Sequence, residues 1–209
     1  MDKKTEIISQ AIMLFMRYGI KSLTMDNVAG HLGISKKTLY QYVSDKKDLV
    51  KQGVNFLIEH EKSILCNTME DSKTAIDELI GTTKCVSSEI GEMHPSVIYD
   101  LQKYHPGAWK LMETHKKEFI YNLVLNNLKR GVKEGYYRNN INPLVIANIY
   151  IGMVDYILNP ENSMTKILSM QKLHLEIINY HIKGIANEKG IAYLKEVLKT
   201  NGDDRFSID

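Results

Sequence analysis

A chain of 209 residues, 44% hydrophobic and 25% charged, is long enough to bury a core and too polar throughout to be a membrane protein. Its net charge is only +2, yet eight lysines and arginines oppose five acidic residues before residue 51, which leaves the remainder slightly acidic. Modest basicity at one end suits a nucleic-acid reader whose larger part does something else. The N-terminal Met-Asp-Lys-Lys-Thr-Glu lacks the apolar run of a secretory signal. The most apolar stretch, residues 144–154, is broken by Asn148 and is too short to span a bilayer, so a cytoplasmic location without a membrane partner is expected. Cys66 and Cys85 have no Cys or His at zinc-finger spacing, which predicts reduced thiols and no structural metal.

In chain order, the first predicted helix covers residues 5–18, with Ile8, Ala11, Ile12 and Phe15 on one side and Gly19 as its stop. Residues 24–43 then read as two short helices joined by a tight turn. Thr24 has the oxygen to cap the first, and Val28, Ala29 and Leu32 form its inward stripe. Gly33 tolerates the left-handed backbone of a sharp helix exit, Ile34 plugs the space under the turn, and Ser35 caps the second helix. That helix is predicted over 36–42, with Leu39 and Val43 facing inward. Lys36 with Tyr40, and Lys37 with Gln41, are i, i+4 pairs on other faces. Lysine neutralises phosphate, glutamine can pair with adenine in the major groove, and a tyrosine hydroxyl can reach a phosphate oxygen. A glycine turn or a Lys-Lys pair alone is an ordinary structural feature; in this order they describe a helix-turn-helix DNA reader. Ser44 or Asp45 then caps a long helix through Phe56 and Ile64, joining the reader to a second domain without a flexible linker.

The rest also reads as helix, so the fold class is all-α. Prolines occur only at 95, 106, 143 and 160, each where a helix can begin or end. Helical segments are predicted over 72–90, 95–104 and 108–134, the last closed by Gly135. Asn142 can cap the next helix, with Pro143 in its first position and Asn159-Pro160 ending it; this segment is apolar on nearly every side and includes Ile149 and Met153. A final long helix offers Leu168, Leu175, Ile178, Ile182 and Ile185 at spacings of seven, three, four and three, a seam for a partner helix. These seven residues form the predicted homodimer interface.

Residues 5–50 resemble the DNA-binding domain of the TetR/AcrR family of bacterial transcriptional regulators. The resemblance rests on Ile8, Ala11, Phe15, Tyr18 and Gly19, on the stretch 24–29, on Ser35-Lys36-Lys37-Thr38-Leu39-Tyr40 and on Ser44-Asp45-Lys46-Lys47-Asp48-Leu49. The segment 135–143 resembles the turn that precedes the family's penultimate long helix. Two departures are Gln41, where many members carry a second aromatic, and Val43, which replaces the usual phenylalanine. The resemblance implies an N-terminal three-helix helix-turn-helix domain, residues 1–47, and a helical ligand-binding and dimerisation domain, residues 48–209. It also implies a small-molecule pocket in that second domain. Met93, Tyr99, Tyr104, Trp109, Met112 and Phe119 are aromatic or polarizable enough to line such a pocket, although at helical spacing they serve equally as plain core.

The expected function is thus a sequence-specific, ligand-responsive homodimeric repressor on double-stranded DNA. The 36–42 helix carrying Lys36 enters the major groove, Thr24, Tyr40, Tyr42 and Lys46 hold phosphates, and Lys37, Thr38 and Gln41 read bases. Two-fold symmetry makes the operator an inverted repeat, with half-sites about 34 to 36 Å apart or somewhat more. No cofactor, catalytic set or metal site is called for. His174 and His181 share a helix face but lie about 10 Å apart, too far for one metal. Glu59-His60-Glu61 lacks the second histidine of a metalloprotease helix, and there is no phosphate loop or nucleophile elbow. Two alternatives are an activator or partner-controlled regulator without a pocket, and a helical ligand or metal carrier.

Overall fold

The computed structural model describes residues 2–162, 164 and 167–201. Among the described residues the protein is all helical, with a single isolated bridge between Tyr137 and Ala186 and no strand. The helices pack into two compact units. The first gathers the residues up to Ser63 with Glu92–His115; the second gathers Ile64–Gly91 with the residues from Lys116 onward. Packing therefore groups more than the motif at 1–47 with the reader, because the motif shares its core with Val50, Val54, Val97 and Leu101.

In the first unit, α1 (Lys3–Tyr18) starts two residues earlier than predicted because Asp2 caps it, accepting from the Thr5 amide at 2.8 Å. α2 (Met25–His31) and α3 (Lys36–Leu39) follow, and then α4 (Lys46–Asp71), which runs unbroken for 26 residues. Its start carries a reciprocal cap: Asp45 accepts from the Asp48 amide at 2.8 Å, and Asp48 accepts from the Ser44 amide at 2.9 Å. Phe15, Ile12, Val28, Leu39, Leu49 and Val50 close one core. α1 and α4 approach so tightly that a Cβ at Gly53 would lie 2.7 Å from Ile12 Cβ, so only glycine fits. The short α6 (Val97–Tyr104) and α7 (Pro106–His115) complete the unit. Asp100 on α6 is buried and accepts from the Lys21 amide at 2.9 Å, and the His94 amide donates to the Met16 carbonyl at 2.7 Å. These bonds fasten α1 and the segment after it to α6 and the residues just before it.

The second unit contains α5 (Ala75–Gly91), a π-helical turn over Lys116–Ile120, α8 (Tyr121–Glu134), α9 (Pro143–Ile157), α10 (Met170–Ile185) and α11 (Glu188–Asn201). The single helix predicted over 108–134 is thus interrupted. At the π turn the ladder is one residue longer, and Lys116 is drawn into the interior, where it pairs with Asp155 of α9. α9 begins as its sequence indicates, with Asn142 accepting from the Leu144 and Val145 amides behind Pro143. α11 is an element the sequence reading did not propose; Leu194 and Leu198 bury one face, and the Tyr193 hydroxyl donates to Asp77 at 3.0 Å. Ile76, Leu79, Leu128, Tyr137 and Ile182 form the core. At its end, Arg130 donates to Glu78, Glu134 and the Ser72 and Lys73 carbonyls at 2.6–2.9 Å, so the buried Glu78 carboxylate is paired.

Candidate nucleic-acid interface

The reading motif is assembled from short-range bonds. Thr24 and Asn27 cap α2 reciprocally: the Asn27 amide donates to Thr24 Oγ1 at 3.2 Å, and the Thr24 amide donates to Asn27 Oδ1 at 2.9 Å. Gly33 takes φ +65°, the left-handed exit that its position calls for. Ser35 Oγ then accepts from the Thr38 amide at 3.0 Å and opens α3. The expected helix over 36–42 is shorter as regular α-helix. After Leu39 the bonds tighten to a 3₁₀ pattern, Gln41 amide to Thr38 carbonyl and Tyr42 amide to Leu39 carbonyl, each at 3.1 Å. Leu39 and Val43 are buried as predicted, and they hold the turn onto the core.

The predicted DNA-facing side chains divide into those turned outward and those turned in. Lys36, Lys37, Tyr40 and Gln41 are exposed, and Thr38 is half-buried. Lys36 is held by Asp26, whose Oδ2 accepts at 2.9 Å; this hydrogen bond and the carboxylate's charge raise the lysine pKa. Asp26 was not among the predicted residues, and only the turn geometry, which sets α2 against α3, brings it to the reading face. Tyr42 is half-buried and packs on the core. Thr24's hydroxyl is engaged in its own cap, where it also donates to Asn27 Oδ1 at 2.7 Å. Lys46 departs most from expectation. It is half-buried, its Nζ donates to the Leu23 carbonyl at 2.6 Å over the Phe15 ring, and burial lowers its pKa. That ammonium closes the loop before α2.

The six pocket candidates do not come together. Met93, Trp109 and Met112 pack against the first unit's core. Tyr99 is exposed, Tyr104 meets the Lys21 and Lys103 ammonium groups, and Phe119 lies half-buried on the π turn. None lines the cavity of the second unit, which has a volume of about 60 Å³. Its wall comes from α4 (Leu65), α5 (Leu79, Thr82, Thr83, Val86), the π turn (Ile120), α8 (Leu123, Val124, Asn127), α9 (Tyr150) and α10 (His174, Ile178, His181). Soft and aromatic character selected side chains that fill a core just as well. The cavity's own polar markers, His174 and His181, were considered only as metal ligands.

The predicted dimer seam needs a similar correction. Ile178, Ile182 and Ile185 are buried in the subunit's own core, Ile182 completely, while Met153, Leu168 and Leu175 are half-buried. Ile149 is 50% exposed, and Leu144, Val145 and Tyr156 stand beside it on α9; on α10 it is Tyr180, 75% exposed, that faces outward. A heptad-like seam is satisfied as well by neighbouring helices of one chain as by a second chain.

Among the described residues no helix is long and apolar enough to cross a membrane, and no three His, Cys, Asp or Glu side chains converge as a metal site. Residues 7–52 match the profile of bacterial regulatory proteins, tetR family. YvaF of Bacillus subtilis, named as an HTH-type transcriptional regulator, is 27% identical over 190 residues, 90% of this chain and 97% of that protein. IcaR of Staphylococcus aureus, named as the HTH-type negative transcriptional regulator of the biofilm operon icaADBC, is 32% identical over 76 residues, 36% of this chain and 41% of IcaR. A transcriptional regulator from Saccharomonospora viridis, solved in complex with choline, shares the fold at a TM-score of 0.69 and 14% identity, covering 88% of this chain and 98% of that one. With its capped helix-turn-helix matching the tetR-family profile over residues 7–52, and its similarity to HTH-type regulators, the chain is a DNA-binding transcriptional regulator.

Proposed function

We propose that the protein is a cytoplasmic homodimeric repressor whose DNA affinity is lowered by a small molecule held in the second unit. Residues 1–47 read the operator, and residues 48–209 dimerise and hold the effector. The observation that carries this reading is the row of exposed apolar side chains on α9, Leu144, Val145, Ile149 and Tyr156, with Tyr180 on α10. An apolar row of this kind in water fits a second copy of the chain, which buries it by two-fold symmetry. Two copies then present two α3 helices to an inverted repeat. Lys37, Thr38 and Gln41 read base edges, Tyr40 and Tyr42 reach phosphates, and Lys36 is oriented by Asp26. Thr24 and Lys46 act chiefly by holding α2 and its preceding loop in place.

Repression is supported by the relative IcaR, a negative regulator by name, and a small-molecule effector by the choline complex of the structural neighbour. An effector releases DNA only if it binds the DNA-free conformation more tightly, by a factor equal to the loss of DNA affinity. A second reading, control by a protein partner, is favoured by the small cavity, since an apolar cavity of about 150 Å³ is what takes up benzene.

The test is a mobility shift with the chain's own upstream DNA at several salt concentrations against random competitor, alongside sedimentation of the free protein. Retention against competitor with a dimeric mass is expected. A monomer, or binding that salt and competitor abolish both here and after selection from a random library, rejects the reading.

A further inference from the structure

The cavity of the second unit has an unusual balance of polar groups. Its wall contains no Asp, Glu, Lys or Arg. Most of its polar atoms are already engaged. The Thr82 and Thr83 hydroxyls donate to helix carbonyls of α5 at 2.6–3.1 Å. Asn127 donates to the Ala75 carbonyl at 2.8 Å and accepts from the Tyr137 hydroxyl at 2.9 Å, so both ends of its amide are used. His174 Nδ1 is bonded to Ser87 Oγ at 2.9 Å. His181 is different. Only 6% of it is exposed, its ring meets the Tyr150 ring edge-on at 5.1 Å, and it lines the cavity.

An imidazole that lines a cavity can offer its ring nitrogens to whatever fills that space. Burial lowers the pKa of both His174 and His181, so at neutral pH each presents a neutral ring with one N–H donor and one acceptor nitrogen. An anion would find no fixed positive charge in this wall. A cation would find no carboxylate and only Tyr150 as an aromatic face. Either would lose its hydration without an ionic partner. An uncharged molecule with one hydroxyl or carbonyl loses little, because that group replaces water with His181 while the rest meets Leu65, Leu79, Leu123 and Ile178.

We propose that this cavity takes an uncharged, mainly apolar molecule, no larger than a single ring, whose one hydroxyl or carbonyl group hydrogen-bonds His181. The inference rests on the effector reading above for its biological sense, but it concerns only what the cavity accepts. At about 60 Å³ the cavity is smaller than one that holds benzene, so a ring enters only as the wall side chains give way.

The test uses the full-length protein and four probes: phenol, benzene, benzoate and tetramethylammonium, titrated while the imidazole ¹⁵N resonances are followed. Phenol is expected to shift the His181 signals and to bind at least tenfold more tightly than benzene, with no saturable binding of either ion. His181→Leu should lose at least tenfold in phenol affinity, whereas His181→Gln, which keeps a hydrogen-bonding group, should retain it. Binding of an ion more tightly than phenol, equal affinity for phenol and benzene, or no saturable phenol binding to a folded wild-type protein overturns the proposal. Failure of the effector reading has a separate signature: phenol binds at His181, but saturating phenol leaves the operator mobility shift unchanged.

Discussion

The reading motif and the cavity are built on different scales of the chain. The caps and the turn of the motif are closed by bonds that span three to five residues: Thr24 with Asn27, Ser35 with Thr38, Asp45 with Asp48, and the Ile34 amide to the Ala29 carbonyl. The cavity draws on residues from Leu65 to His181, and the bonds that set its polar character join Ser87 to His174 and Asn127 to Ala75. A function written in caps and turns keeps its geometry locally. A function written in a wall of five helices depends on every packing decision between them.

That contrast is most open to attack by acid. His174 and His181 are pushed down to about 4 by burial, against an ordinary value of 6.5 in the unfolded chain. Between those values the unfolded chain binds more protons, so stability is full above about pH 6.5 and falls as pH drops toward 4. Each imidazole contributes a loss of about 3 kcal/mol at most. His105 in the first unit titrates in the same direction, so the comparison requires the double variant His174→Gln/His181→Gln. Urea melts from pH 7 to 4 should show a markedly flatter decline for that variant; an unchanged slope would mean that the cavity histidines are not held neutral.

The next effect belongs to the motif's anchor. Leu39 is fully buried beneath α3, and Leu39→Ala should destabilise the protein by about 2–5 kcal/mol while removing operator binding. Intact operator affinity in a destabilised variant would show that α3 does not need its anchor to read DNA. Gln41 is exposed on the same segment, and Gln41→Ala should leave the melting temperature unaltered but relax discrimination at one base pair by about 1–3 kcal/mol. A uniform loss across all single-base operator variants would instead place Gln41 on a phosphate.

The smallest effect concerns Asp26. Asp26→Asn releases Lys36 from its exposed pair, so nonspecific DNA binding should become steeper in salt, by about 0.9 in the slope of log affinity against log salt. No change in slope would show that Lys36 reaches phosphate despite Asp26.

Helix content, the capped turn at 33–35, the inward Leu39 and Val43 and the cap at Asn142-Pro143 were legible in the chain because each is decided by neighbours within one or two turns. The π turn at Lys116 was not, and the Asp155 that Lys116 meets there lies on a later helix. Nor was α11 proposed, although Ile191, Leu194 and Leu198 recur at helical spacing; its Tyr193 hydroxyl meets Asp77 of α5 across more than a hundred residues of chain. Lys46 has the same type and spacing as a phosphate-binding lysine; the Leu23 carbonyl that captures it lies 23 residues earlier.

The sequence by itself determined that the chain is helical and carries a DNA-reading motif, because capping, glycine geometry and apolar periodicity act over a few residues. Only the tertiary structure decided which apolar residues are core and which stand exposed on α9. It also decided that Met93, Trp109 and Met112 fill a core while His181 lines a cavity. An apolar or aromatic side chain has the same periodicity in each of these roles; what separates them is which other helix covers it, and that is settled by packing across more than a hundred residues of chain.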